Sequence, residues 1–308
     1  MSKPRRKKGN AVNGWLVLDK PVGMTSTQAV GAVRRAYNAQ KAGHAGTLDP
    51  LATGILPIAL GEATKTVPFA VDGQKVYRFA VRWGAETTTD DTEGPVVHSS
   101  DVRPALAQIE ALLPSFTGEI LQVPPQFSAI KVDGARAYDL ARDGETVVMD
   151  ARPVIIDALR VEAMPDADTT VFVAECGRGT YVRSVARDMG RQLGCYGHVV
   201  ELRRTRVAGF DEAVSVTLDD LRAAAEQPDP AAVMAHLLPI EAALDGIIGL
   251  PVGSDDAARL HRGQPVLIRG RDAPIMAGEA YAICKGHLVA LGTLEKGEFR
   301  PTRVFNFE

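Results

Sequence analysis

The chain has 308 residues, with 35 Lys and Arg against 38 Asp and Glu, a formal net charge of −3, 45% hydrophobic and 24% charged residues. These proportions are those of a globular protein and exclude a disordered chain, a collagen-like repeat and a disulfide scaffold. Taken as a sum, a slightly acidic charge argues against nucleic acid as a partner. The length suggests two domains, or one large and one small.

Residues 1–12 read as a disordered basic tail, opening Met1-Ser-Lys-Pro-Arg-Arg-Lys-Lys8. No apolar stretch follows those charges, so they do not read as a signal peptide, and the expected location is cytoplasmic. Residues 14–19 (Gly-Trp-Leu-Val-Leu-Asp) form a short apolar strand. Thr27 to Tyr37 reads as a helix with Val30 and Val33 inside and Arg34 and Arg35 outside. Asp49-Pro50 has the pattern of an N-cap followed by Pro at the first helical position, which predicts a helix over 50–56. Residues 75–83 alternate with period two, placing Tyr77, Phe79, Val81 and Trp83 on one strand face. Val102 to Leu113 reads as a helix with a Leu106, Ile109, Leu112 and Leu113 stripe. Val171 to Glu175 reads as a strand.

Val182 to Leu193 is a helix whose apolar face is Val182, Val185, Met189 and Leu193. Arg183, Arg187 and Arg191 recur on it at every fourth position, one basic stripe. Composition shifts to Ala, Pro and Asp at 222–232. After about residue 248 come short strands at 265–269, 280–285, 287–293 and 300–305, a small β-barrel-like domain. The irregular interleaving of strands and helices, without βαβ repetition, predicts an α+β fold with a central mixed, mainly antiparallel sheet.

The net charge hides its distribution. Residues 1–45 hold nine basic residues and one acid, and residues 178–206 hold seven arginines against two acids. Residues 210–245 hold eight acids against one arginine, and 86–101 five acids and no base. A basic face can therefore exist on an acidic chain.

The three cysteines, Cys176, Cys195 and Cys284, are far apart and fit free thiols in a reducing compartment. No His pair has metal-binding spacing, so no metal is expected. No apolar run approaches the roughly 18 residues a bilayer span needs. The densest stretch is Lys41-Ala-Gly-His-Ala-Gly-Thr-Leu-Asp-Pro-Leu-Ala-Thr-Gly54. Its glycines permit close approach to a ligand. Read alone, Asp49 is as well explained by helix capping as by chemistry, and Tyr77 by core packing.

Longer blocks carry a resemblance. Gly14-Trp-Leu-Val-Leu-Asp-Lys-Pro-Val-Gly-Met-Thr-Ser26, Gly43-His-Ala-Gly-Thr-Leu-Asp-Pro-Leu-Ala-Thr-Gly54 and Gly61-Glu-Ala-Thr-Lys65 come first. Pro124-Pro-Gln-Phe-Ser-Ala-Ile-Lys-Val-Asp-Gly134, Cys176-Gly-Arg-Gly-Thr-Tyr-Val-Arg-Ser184 and Leu202-Arg-Arg-Thr-Arg206 follow in order. Over roughly residues 12–210 the chain resembles the bacterial tRNA pseudouridine-55 synthases (pseudouridine synthase B family). Leu260-His-Arg-Gly-Gln264 and Ala290-Leu-Gly292 resemble the family's small RNA-binding PUA domain.

The resemblance implies a division into a tail (1–12), a catalytic domain (13–245) with a thumb-like loop at about 124–150, and a PUA-like domain (246–308). It implies isomerisation of uridine-55 in the tRNA T-loop to pseudouridine, without cofactor or metal. It assigns Asp49 as the nucleophile, attacking C6 of the base or C1′ of the sugar. Arg183 is its ion-pair partner, and Tyr77 stacks on the base and assists loss of the C5 proton.

In the same comparison His44, Tyr181 and Leu202 line the pocket or the flipped-out loop, and Lys20 supports the active-site loop. Thr47 and Thr53 order that loop. Lys131, Arg178, Arg203 and Arg204 are expected to contact RNA phosphates, as positioning groups. The target base is stacked inside a folded loop and must be flipped out, at a cost of a few kcal/mol. The expected partner is tRNA through its T-stem-loop, with no membrane and no obligatory protein partner, for a monomer. A second activity, refolding of tRNA as a chaperone, is compatible with the same residues. A guide-RNA-dependent relative is disfavoured, because the chain lacks a long Lys-rich extension.

Overall fold

The computed structural model describes residues 9–128, 131–132, 135–136, 149–268 and 277–307, with the backbone alone at 131–132 and 135–136. The expected thumb lies largely outside the described residues. Residues 10–12, expected in the tail, are docked: Asn10 N donates to Asn38 O at 2.6 Å and Val12 is buried.

The centre is a ten-stranded sheet. Its main path uses β1 (Gly14–Lys20), β3 (Thr53–Leu60), β4 (Lys75–Trp83), β7 (Gly118–Gln122), β10 (Arg152–Asp166), β11 (Thr169–Cys176), β12 (Gly197–Val207) and β14 (Val216–Thr217). Their order is β14-β1-β3-β12-β4-β11-β10-β7; β2 (Ala42–His44) pairs with β3, and β13 (Phe210–Asp211) with β12. The β14–β1 and β3–β12 pairs are parallel and the others antiparallel. The expected α+β fold with a mixed, mainly antiparallel sheet is therefore found.

Both faces of the sheet are covered, which is why β1 and β3 read as continuous apolar runs. On one face Leu16, Leu18, Leu56, Ile58, Phe79 and Val81 pack under α1 (Ser26–Ala36) and α4 (Val182–Gln192). On the other, Trp15, Val17, Ile55 and Ala59 meet Phe210, and also Leu288 and Leu291 of the C-terminal sheet and Phe305, just after its last strand in sequence. That second sheet has the order β15-β17-β18-β19-β16 (Ile248–Pro251, Gly278–Cys284, His287–Glu295, Glu298–Val304, Val266–Leu267). The Gly61–Lys65 motif joins the two units. Lys65 Nζ donates to Val304 O at 2.7 Å and to Glu62 Oε2, and the same carboxylate accepts Asn306 N at 2.6 Å.

Three local expectations fail for identifiable reasons. There is no helix over 50–56: residues 50–51 turn and β3 starts at Thr53. The run from Ile55 to Leu60 is fully buried, and Gly54 sits at φ +97°, outside helical geometry. The helix expected from Val102 is α3 (Leu106–Leu112) and starts late. Pro104 disfavours helical backbone at the residue before it. Leu106 is exposed, so only Ile109 of the stripe is fully buried. After residue 248 the expected strands are joined by a helix, α7 (Ser254–His261), that periodicity at strand spacing did not reveal.

Gly54 pairs with Arg204 across the parallel β3–β12 contact, and a Cβ there would lie 2.2 Å from Arg204 O. Gly54→Ala is expected to destabilise the protein by at least about 2 kcal/mol, read as a shift in the urea midpoint.

Candidate active site

The loop that carries Asp49 is short and has few side chains to hold it. It is fixed through its main chain. Ser26 Oγ donates to Leu48 O (3.0 Å) and accepts Leu48 N (2.8 Å). Lys20, fully buried, directs Nζ to Pro21 O (2.8 Å), Met24 O (2.7 Å) and Pro50 O (3.4 Å). Arg204, 1% exposed, donates to Ile55 O (2.8 Å), Gly46 O (3.1 Å) and Thr47 O (3.3 Å). Buried carbonyls without donors are costly, so these groups decide the loop's shape. Burial lowers the Lys20 ammonium to about 8, with Asp49 opposing that shift.

Arg183 comes from the first turn of α4. Its helix start is set by Gln122, which accepts Tyr181 N (2.8 Å) and donates to Tyr181 O (3.1 Å). The guanidinium is 4% exposed and surrounded by acceptors: Thr89 O and Phe127 O, both at 2.9 Å, and Asp91 Oδ2 at 3.4 Å. Its Nε lies 2.9 Å from Asp49 Oδ2. The N–H does not point along that contact, so the pair is a charge contact more than a directed hydrogen bond. Burial pushes the Asp49 carboxyl above its ordinary range; Arg183 pulls it back, and Asp91 adds a like charge that raises it.

Asp49, Tyr77, Arg183, Tyr181 and Leu202 line one cavity of about 510 Å³, with Arg178 and Arg204. Register puts Tyr77 there: it pairs with Ala174 of β11 and with Arg204 of β12. Burial raises the Tyr77 phenol above its ordinary value, and its ring lines the cavity, where it can stack on a base. Tyr181 is shifted the same way by burial.

Of the other expected residues Thr47 also lines the cavity, whereas His44, Lys20, Thr53 and Arg203 fall outside its lining. His44 lies on β2 opposite Ile58, and Lys20 acts behind the loop. Two of the residues expected on RNA phosphates are otherwise engaged. Arg204 faces inward onto carbonyls, because a loop carbonyl cluster beneath Asp49 needs its donors. Arg203 bridges Asp19 (2.9 Å) and Glu212 (2.6 Å). Arg178 is exposed and pairs with Asp72 at 2.7 Å. The Lys131 side chain lies outside the described residues.

The arginine stripe of α4 is not a free basic face. Arg187 meets Asp90 (3.1 Å) and Asp188 (2.8 Å), and Arg191 makes two bonds to Glu86 (2.8 and 2.7 Å). The acidic stretch beginning at Glu86 covers the stripe and also supplies Thr89 O and Asp91 to Arg183. Sequence reading missed Glu86, Asp90, Asp91 and Gln122 as members of the site's support. The available signal was two oppositely charged segments of matching size.

A family model described as "TruB family pseudouridylate synthase (N terminal domain)" matches residues 34–182, and one described as "tRNA pseudouridylate synthase B C-terminal domain" matches 183–245. The tRNA pseudouridine synthase B of Chelativorans sp. (strain BNC1) is 56% identical over 99% of this chain and 99% of its own length. That of Rhizobium johnstonii is 57% identical over 99% and 100%. A crystal structure of a Cbf5-Nop10-Gar1 complex is similar at 27% identity and TM-score 0.73, over 95% of this chain and 84% of that one.

The electrostatics predict an ordered response to mutation. A ¹³C titration of the Asp49 carboxyl should give a midpoint above the ordinary ~3.9. Asp91→Asn should lower that midpoint and Arg183→Gln should raise it.

Proposed function

The chain belongs to the TruB family of pseudouridylate synthases, and from that membership we propose that it converts uridine-55 in the T-loop of tRNA to pseudouridine, with Asp49 as nucleophile. The observation that carries this reading is the meeting of Asp49, Arg183, Tyr77 and Leu202 in one cavity. The full-length relatives called tRNA pseudouridine synthase B support tRNA as the substrate.

The reaction is an isomerisation. The N1–C1′ bond breaks and a C5–C1′ bond forms; C5 loses a proton and N1 gains one. Nothing is oxidised, reduced or transferred to another molecule, so the chain's own residues suffice without a cofactor. The uridine is flipped from the loop into the cavity, where Tyr77 and Leu202 replace its stacking neighbours. The Asp49 carboxylate attacks C6 or C1′ and keeps the two fragments together while the base turns. Arg183 holds that carboxylate in place and in its charged form. The Asp49 side chain is one third exposed in the open cavity, and a seated base would displace the water on it and strengthen its interaction with the substrate.

We place His44 and Tyr181 against the RNA around the flipped nucleotide, and Lys20 behind the loop as a positioning group. Residues 13–245 form the catalytic domain and 246–308 a PUA-like RNA-binding domain. The enzyme works in the cytoplasm as a monomer on tRNA and needs no protein partner. Chaperone-like refolding of tRNA is a second activity of the same binding surface.

Asp49→Asn should lower turnover on an unmodified T-stem-loop by more than about 10⁴-fold while leaving affinity within a few-fold. The measurement is pseudouridine mapping beside equilibrium binding, with isolated protein. Retained turnover would remove Asp49 from its role, and activity only with added proteins would refute the stand-alone reading.

A further inference from the structure

The cavity lining holds two further cations, Lys75 and Arg152, that have no role above. Its lining includes five cations, Lys75, Arg152, Arg178, Arg183 and Arg204, and one carboxylate, Asp49. Arg183 is matched by Asp49 and Asp91, and Arg204 by main-chain carbonyls. The remaining three come together through the sheet. Lys75 and Tyr77 share a face of β4, two residues and about 7 Å apart along the strand. Lys75 pairs with Cys176 of β11, which leads directly into Gly177 and Arg178. Gly177 N donates to Ile155 O at 2.9 Å, which brings in β10 and its first residue, Arg152.

Lys75 is unusual among them. It is 6% exposed, and its Nζ donates to Gly73 O at 2.5 Å and to Val71 O. Among the described residues no carboxylate is in ion-pair contact with Lys75 or Arg152. Burial lowers the ammonium to about 8, and the nearby Arg204 and Arg178 charges push the same way. Asp72 is the neighbouring acid, and it is engaged by Arg178 in a pair whose side chains are 69% and 58% exposed. A pair that exposed is weak and exchanges easily. An anion entering here would meet a desolvated ammonium with little competing negative charge, in surroundings where the attraction is stronger than in water.

We propose that Lys75 and Arg152 join Arg178, which is already expected on an RNA phosphate, in a phosphodiester subsite that grips the RNA strand beside the extruded nucleotide. This rests on the reading of the cavity as the seat of a flipped uridine. With the base against Tyr77, Lys75 stands at about the distance of that nucleotide's own backbone. Arg152 and Arg178 stand at the exposed rim, where the strand enters and leaves. The subsite does not read sequence; it fixes register, so that the flipped base is committed to the cavity.

The test measures binding, so its outcome is independent of which residue is the nucleophile. T-stem-loop affinity is measured against salt for Asp49→Asn protein and for the same protein carrying Arg152→Gln, Lys75→Gln or, as control, Arg160→Gln on the exposed part of β10. Arg152→Gln is expected to weaken binding about tenfold and to lower the salt slope by about one. Arg160→Gln should do neither.

RNAs with a neutral methylphosphonate on the 5′ or 3′ side of the target uridine identify the ligand. One of the two should bind Asp49→Asn protein about tenfold more weakly, yet cost the Arg152→Gln protein little more. Equal losses in both proteins, or an Arg160→Gln effect equal to that of Arg152→Gln, would overturn the proposal. Lys75 is buried and its variant can fail to fold; Arg152 is exposed and keeps the test decisive.

Discussion

A guanidinium buried at the start of a helix must find an acceptor on every side, and at Arg183 that requirement organises the structure around it. Its donors reach Thr89 O, Phe127 O and Asp91, and Asp49 faces its Nε. Three separate chain segments are therefore drawn to one point. Leaving any of these groups buried without its partner would cost several kcal/mol. The acidic stretch from Glu86 to Asp91 is held against α4 for this reason. Through Arg187 and Arg191 it neutralises the rest of the arginine stripe.

Around that point, main-chain capture does the work that side-chain packing does elsewhere. The Asp49 loop contributes carbonyls, and Lys20, Ser26 and Arg204 supply the donors. One row of register, Gly54 to Arg204 to Tyr77 across three strands, ties the loop to the aromatic ring that faces it. The loop side of the cavity is thus tied to the sheet that carries Tyr77, Leu202 and Arg204.

Much of this was legible from periodicity and motif. Period two in residues 75–83 placed Tyr77 with Phe79 on one strand face, and fourfold spacing placed Arg183 with Arg187 and Arg191. Periodicity says which residues share a face, not what covers that face. The arginine stripe therefore read as one basic face, although acids from a remote segment are paired with it. Asp49-Pro50 read as a helix start because capping chemistry is local, while the strand that follows is imposed by burial of Ile55 to Leu60 between two layers. Arg203 and Arg204 are adjacent in sequence and look alike; the strand alternation that turns one to Asp19 and the other to the loop carbonyls depends on register with β3. Lys75 carried no sequence signal, since a lysine at a strand end is ordinarily solvated.

The central claim is that Asp49 acts on a uridine extruded into this cavity. A crystal structure with a T-stem-loop bearing 5-fluorouridine at the target position tests it most directly. The expected result is the fluorinated base inside the cavity, stacked on Tyr77, with an Asp49 oxygen bonded to, or in van der Waals contact with, C6 or C1′. A target base still stacked in its loop, or seated against a different carboxylate with Asp49 turned away, would contradict it.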